Sequence, residues 1–187
     1  MKLKKIITSA FFTLAIVGTS FATEKDPIKK KKETKEIKTI ETIVGVAAAN
    51  KNFTTLVAAV KAAGLVDVLN SKGLFTVFAP TNDAFDKLPE GTVSTLLKKE
   101  NLKTLSAILT YHVVAGKFKA KEVIQAIKDN NGKFVIKTVQ GNNLTATIDS
   151  GKVILTDAKG GKSTIILTDV EASNGVIHAI DTVVMPQ

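Results

Sequence analysis

An α+β domain with helices before strands is what this sequence predicts, and three observations carry the prediction. Between Thr39 and Ile127, apolar residues recur at the three- and four-residue spacing of helix faces. From Lys133 onward the period shortens towards two, and glycine-containing breaks fall at Asn131-Gly132, Gly141-Asn142, Ser150-Gly151, Gly160-Gly161 and Asn174-Gly175. Turn signals about ten residues apart mark antiparallel hairpins. A block of helices followed by a block of strands favours α+β over alternating βαβ units.

The elements follow in order. Ile40, Ile43, Val44, Ala47 and Ala48 lie on one helical face. Asn52 is placed to cap the next helix, in which Phe53, Leu56, Val57 and Val60 share a face and Gly64 is the stop. Leu65 to Leu69 adds a helical turn that ends near Gly73. Leu74 to Ala79 reads as a buried strand closed by Pro80. Thr81-Asn82-Asp83 is rich in capping side chains, with Thr81 or Asn82 as the cap, and Phe85 and Leu88 then face inward. Thr92 and Asn101 open two further helices, the second carrying Leu102, Leu105, Ile108 and Leu109 on one face. Tyr111-His112-Val113-Val114 is strand-like by its β-branched residues, and Lys119 to Ile127 is a last short helix. Strands are expected over 133–139, 144–148, 152–156, 164–170 and 175–184. Asn174-Gly175 is expected to be a tight turn with positive φ. Asp181 interrupts the last apolar run, at an exposed face or a turn.

The two ends of the chain differ from this middle. Lys2, Lys4 and Lys5 precede an apolar run, Ile6 to Gly18, and Ser20-Phe21-Ala22 ends it with small residues. This pattern predicts a signal peptide over 1–22, cleaved after Ala22, with no transmembrane segment left in the mature chain. The run is short of the ~20 residues that span a bilayer as an uncleaved anchor. Residues 23–38 are Lys/Glu/Thr-rich and too polar to bury surface, so they read as a flexible linker before a domain at 39–187. Within the linker, Lys29, Lys30, Lys31 and Lys32 form a solvated tether. Its alternative use is a weak contact with an anionic surface, worth about 1 kcal/mol per lysine.

The formal net charge of +9 is spread evenly. Residues 1–22 hold three lysines and no acids, residues 23–40 seven lysines and four acids, and residues 41–187 sixteen lysines and thirteen acids. The domain itself is therefore only mildly basic. Every basic residue is lysine, and arginine is the usual reader of base edges and phosphates. With the export signal, this argues against nucleic acid as a partner. Cysteine is absent, so a packed core must stabilise an exported domain without disulfides.

Catalytic constellations are weak. There is no Gly-x-Ser-x-Gly elbow, no phosphate-binding glycine loop, and no pair of histidines one helical turn apart. Asp83 and Asp86 suit a helix N-terminus better than a pair of hydrolytic carboxylates. The two histidines, His112 and His178, each sit among aliphatic residues in expected strands. They are read as buried imidazoles with both nitrogens hydrogen-bonded, against an exposed pH-sensing or metal-binding role. The reading is of a non-enzyme with no cofactor and no metal.

Three blocks in order, Thr76-Val77-Phe78-Ala79-Pro80-Thr81-Asn82-Asp83-Ala84-Phe85, Tyr111-His112-Val113-Val114 and Asn174-Gly175-Val176-Ile177-His178-Ala179-Ile180-Asp181, resemble those of a fasciclin domain. The resemblance covers Thr39 to Gln187, and no second copy of the blocks is present. It implies a fasciclin-like fold, with N-terminal helices on a wedge-shaped antiparallel β-sandwich. It implies an adhesion module of the cell surface or extracellular matrix; bacterial relatives of this kind are associated with attachment and biofilm matrix. It also implies binding residues: Tyr111 and His112, and an Asp-aliphatic pair before the Asn-Gly turn, here Asp169 and Val170. The tyrosine-preceded histidine would tie segments together, with Asp83 as its candidate partner.

The expectation is thus an exported monomer, secreted or periplasmic, that recognises a surface protein or polysaccharide. The alternative is a periplasmic small-ligand-binding or structural envelope protein.

Overall fold

The computed structural model describes residues 41–187. The expected signal peptide and linker, Lys29 to Lys32 included, lie outside the described residues.

Helices α1 (Ile43–Ala49), α2 (Thr54–Ala62) and α3 (Val66–Leu69) lead into strand β1 (Phe75–Pro80). Helices α4 (Asn82–Asp86), α5 (Thr92–Leu96) and α6 (Leu102–Tyr111) follow, then β2 (Val113–Ala115) and α7 (Ala120–Asp129). The chain ends with β3 (Lys133–Lys137), β4 (Asn143–Asp149), β5 (Lys152–Thr156), β6 (Lys162–Ala172) and β7 (Gly175–Ile180). One seven-stranded sheet has the order β2-β1-β7-β6-β5-β4-β3. It is mixed rather than wholly antiparallel, because β1 and β7 run parallel from Phe75 opposite Gly175 to Pro80 opposite Ile180.

The long strand β6 is the bend of the wedge. Its first residues pair with β5 and its later ones with β7, and register shifts interrupt it between Ile165 and Val170. Such bulges kink a strand and raise its twist. The two halves of the sheet therefore face one another, and the ends meet: Val114 bridges Thr138, and the Val139 N–H donates to the Val113 carbonyl at 2.8 Å. This nearly closes a barrel and leaves little free edge.

Two cores result. Outside the first half, α1, α2, α4 and α6 cover Val77, Ala79, Ile177 and Ala179. Inside the wedge, Phe78, Val114 and Ile180 meet Leu144, Leu155 and Ile165, and α7 closes the space with Val123 and Ile127. The strand period of two explains the division, since alternate residues of β1 and β7 serve different cores.

Three local expectations change. Tyr111-His112 is not strand: Tyr111 is the last residue of α6 and His112 its C-cap, and β2 begins at Val113. Gly175 is not at positive φ. It is required by close approach, since a Cβ there would collide with the Phe75 carbonyl oxygen and lie 2.8 Å from Ile43 Cδ1. Asn52 does not cap α2. That task falls to Asn82, whose Oδ1 accepts from Thr54 Oγ1 and the Thr55 N–H at 3.1 Å each, while Thr81 caps α4.

Candidate functional site

Helix α6 delivers Tyr111 and His112 into the join between the two halves of the sheet. Tyr111 is fully buried, and its hydroxyl donates to the Asn143 carbonyl at 2.7 Å and accepts the Ala158 N–H at 3.1 Å. Burial raises its pKa. His112 is 2% exposed. The Val184 N–H points at its Nε2 at 3.2 Å, so that nitrogen is the acceptor and Nδ1 carries the proton, donated to the Ile108 carbonyl at 2.8 Å. Desolvation pushes the His112 pKa down to about 4. Asp83 is not its partner: that carboxylate is exposed in the first turn of α4. Tyr111 and His112 thus staple α6 to β4, to the turn after β5 and to the C-terminal segment. Neither side chain reaches the surface in this conformation.

Asp169 and Val170 lie on the β6 bulge. Asp169 is exposed at φ +56°, and its Oδ1 accepts the first helical N–H of α7, from Ala120, at 2.9 Å. Val170 is half-buried against the helix-covered core. The neighbouring Glu171 binds Lys119 at 2.6 Å and Lys117 at 3.2 Å. The Lys119 contact, with the Lys117 contact second, lowers the Glu171 pKa, and Glu171 in turn raises that of Lys119. Below them, His178 donates from Nε2 to the Phe118 carbonyl at 2.8 Å and accepts the Asp169 N–H at Nδ1, 3.3 Å away. Its ring stacks on Phe78 with centroids 5.8 Å apart. Thr76, fully buried, donates to the Gly116 carbonyl and accepts the Phe118 N–H. The 116–120 loop is therefore clamped between β1, β6 and β7.

Residue order alone did not reveal several of these roles. Asn174 accepts the Ile43 N–H at 2.9 Å and donates to the Leu69 carbonyl at 2.6 Å, tying α1 and α3 to the β6–β7 turn. Asp157 gathers the Lys159 and Gly161 amides at Oδ1 and the Met185 amide at Oδ2. The Asp-x-x-Gly-Gly run was a legible signal for the first two of these bonds, and the third is long-range. Asp181 fills the turn role: against a burial cost, the Thr164 amide, the Thr182 hydroxyl and Lys87 at 3.6 Å hold its carboxyl below the usual range.

Both imidazoles have both nitrogens occupied by backbone groups. Among the described residues, no three His, Asp or Glu side chains gather closely enough to hold a metal ion. The crevice between α1–α3 and the sheet is apolar, lined by residues such as Val44, Val57 and Phe75, and has a volume of about 40 Å³. That is room for roughly one water molecule.

A family model described as "Fasciclin domain" matches residues 51–186. The chain is 53% identical over 145 residues to protein sll1483 of Synechocystis, covering 78% of this chain and 73% of that protein. It is 39% identical over 122 residues to the cell surface glycolipoprotein MPB83 of Mycobacterium bovis, covering 65% of this chain and 48% of that one. Among solved structures it is similar to a FAS1 domain pair from the insect cell adhesion molecule fasciclin I, with a TM-score of 0.70 at 19% identity. The match covers 79% of this chain and about half, 51%, of the pair.

Proposed function

This chain belongs to the fasciclin family, and from that premise we propose that it is an exported, non-catalytic adhesion protein that acts as a monomer and recognises a protein or glycan of the cell surface or matrix. One observation carries this reading. The polar groups that could have been reactive, Tyr111, His112 and His178, are all consumed by backbone partners, so function is left to the exterior. A surface glycolipoprotein among the relatives agrees with the location. A ligand held between helices and sheet would need a cavity of about 300 Å³ or more, against the roughly 40 Å³ there; the hollow of about 380 Å³ beside Phe85, Leu88 and Val93 is lined by helix and loop residues alone, with Asp86, Glu90 and Ser94 among them. The lysine tether, Lys29 to Lys32, adds a weak hold on an anionic surface.

Deleting the gene in its producer should reduce attachment or alter matrix composition. Re-expression of the full chain should restore both. Unchanged attachment and unchanged matrix after deletion would overturn the proposal. Size exclusion of the mature protein should give one monomer peak at micromolar concentration.

A further inference from the structure

The C-terminal half of the sheet has an outer face that no helix among the described residues covers. Burial alternates along β3, β4 and β5, so one set of side chains enters the wedge and the other faces solvent. The register aligns the solvent set into rows across four strands. One row runs Val135, Thr145, Thr156, Lys162. The next runs Lys133, Thr147, Ile154, Thr164. Lys137 and Lys152 extend the face beyond these rows, opposite Asn143 and Asp149 respectively. The centre is therefore threonine hydroxyls and small aliphatic surface, and four lysines stand around it with one carboxylate.

None of the four lysines lies within 4.0 Å of a carboxylate among the described residues, where the ion pairs belong to Lys87, Lys117 and Lys119. The face is a shallow, net positive platform that strand spacing makes about 14 Å wide across four strands. We infer that it binds a carboxylated polysaccharide laid along the rows, with hydroxyls of the sugar meeting threonines and its carboxylates meeting the lysines. Three features favour this occupant. Its negative charge complements the four lysines, which make no ion pair among the described residues. Thr145 and Thr156 stand side by side at the strand spacing of about 4.8 Å, and Thr147 and Thr164 flank Ile154 in the next row, so hydrogen-bonding groups recur along an extended chain. The face carries no aromatic side chain to anchor in lipid, its apolar part being Val135, Ile154 and Ile166, and no arginine for phosphates. The inference deepens the adhesion reading and rests on it for biological meaning.

The test uses the mature protein carrying K29Q/K30Q/K31Q/K32Q, so that the tether does not contribute. Binding to polygalacturonate is measured by co-sedimentation and affinity electrophoresis, beside neutral dextran and vesicles of phosphatidylcholine with phosphatidylglycerol. The expected result is salt-sensitive binding to polygalacturonate and none to dextran. K133Q/K137Q/K152Q/K162Q should weaken it on the order of tenfold or more, while K61Q/K98Q/K99Q/K103Q, on the helical side, should change it less than about twofold. T145V/T156V should weaken it with all charges kept, which a generic cationic patch would not show. Circular dichroism and melting confirm that each variant is folded. Equal loss in the two lysine sets, no effect of the threonine pair, or tighter binding to the vesicles would each overturn the inference. If the face variant fails to bind polygalacturonate yet fully restores attachment to a deletion strain, the inference loses its biological role and the adhesion reading stands.

Discussion

The two halves of the sheet are built by opposite rules. Strand β7 is buried at all six positions and β1 at five of its six, because helices cover one face and the wedge interior the other. Strands β3, β4 and β5 bury only alternate residues. In the covered half every polar group must find a partner inside, and Thr76, His112, Asn174 and His178 do so with backbone atoms. In the open half, polar side chains have no such duty. The covered half is architecture, and the proposed recognition surface belongs to the open half.

The sharpest way to break this contrast is Gly175→Val. The parallel pairing of β1 and β7 has no room for a side chain at that point. Overpacking against backbone should cost more than about 3 kcal/mol, read as loss of the folded baseline in urea melts. A valine that left the midpoint unchanged would mean that β1 and β7 do not pair in this register.

Acid acts on the same half. His112 titrates near 6.5 when unfolded and about 4 when folded. The unfolded state therefore binds the proton first, and stability is lost as pH falls from about 6.5 towards 4. His112 alone accounts for about 3 kcal/mol of that loss, and His178, also depressed by burial, adds in the same direction. Urea melts at pH 7.5 and 4.5 should differ accordingly, and His112→Leu should shrink the difference to the part that His178 contributes. The same substitution lowers stability at pH 7.5 by about 1–3 kcal/mol, because it strands the Val184 amide. A variant as pH-sensitive as the parent would contradict the tautomer and the burial assigned here.

Tyr111→Phe is milder. It removes one hydroxyl that serves two backbone groups, and about 1–2 kcal/mol should go. The smallest effect belongs to the open face: Lys133→Gln or Thr145→Val should move stability by less than about 0.5 kcal/mol. A large loss there would show that the outer face carries structural weight.

The sequence makes the open half more legible than the covered half. Alternation in β3 to β5 and the Asn-Gly and Ser-Gly turns are local signals, and each strand ended close to where periodicity placed it. What joins the halves is long-range. No pattern near Asn82 says that it caps α2, and none near His178 says that Phe118 and Asp169 are its partners. The parallel pairing of β1 with β7 joins segments about a hundred residues apart, and residue spacing carries no trace of it. Tyr111-His112 looked like strand because its neighbours are β-branched, yet the run of Leu105, Ile108 and Leu109 carries α6 through Tyr111. The resemblance placed binding at Tyr111, His112, Asp169 and Val170. Tyr111 and His112 are buried and tie segments of the fold together, while Asp169 stays at the surface as the cap of α7.

The most direct measurement is an NMR titration of the ¹⁵N-labelled mature protein, tether neutralised, with oligogalacturonate. Shifts confined to the amides of Lys133–Lys137, Thr145–Thr147, Thr156 and Lys162–Thr164 are the result expected if the open half recognises. Shifts centred on Tyr111–Val114 and Asp169–Val170, with the outer rows unmoved, would contradict it.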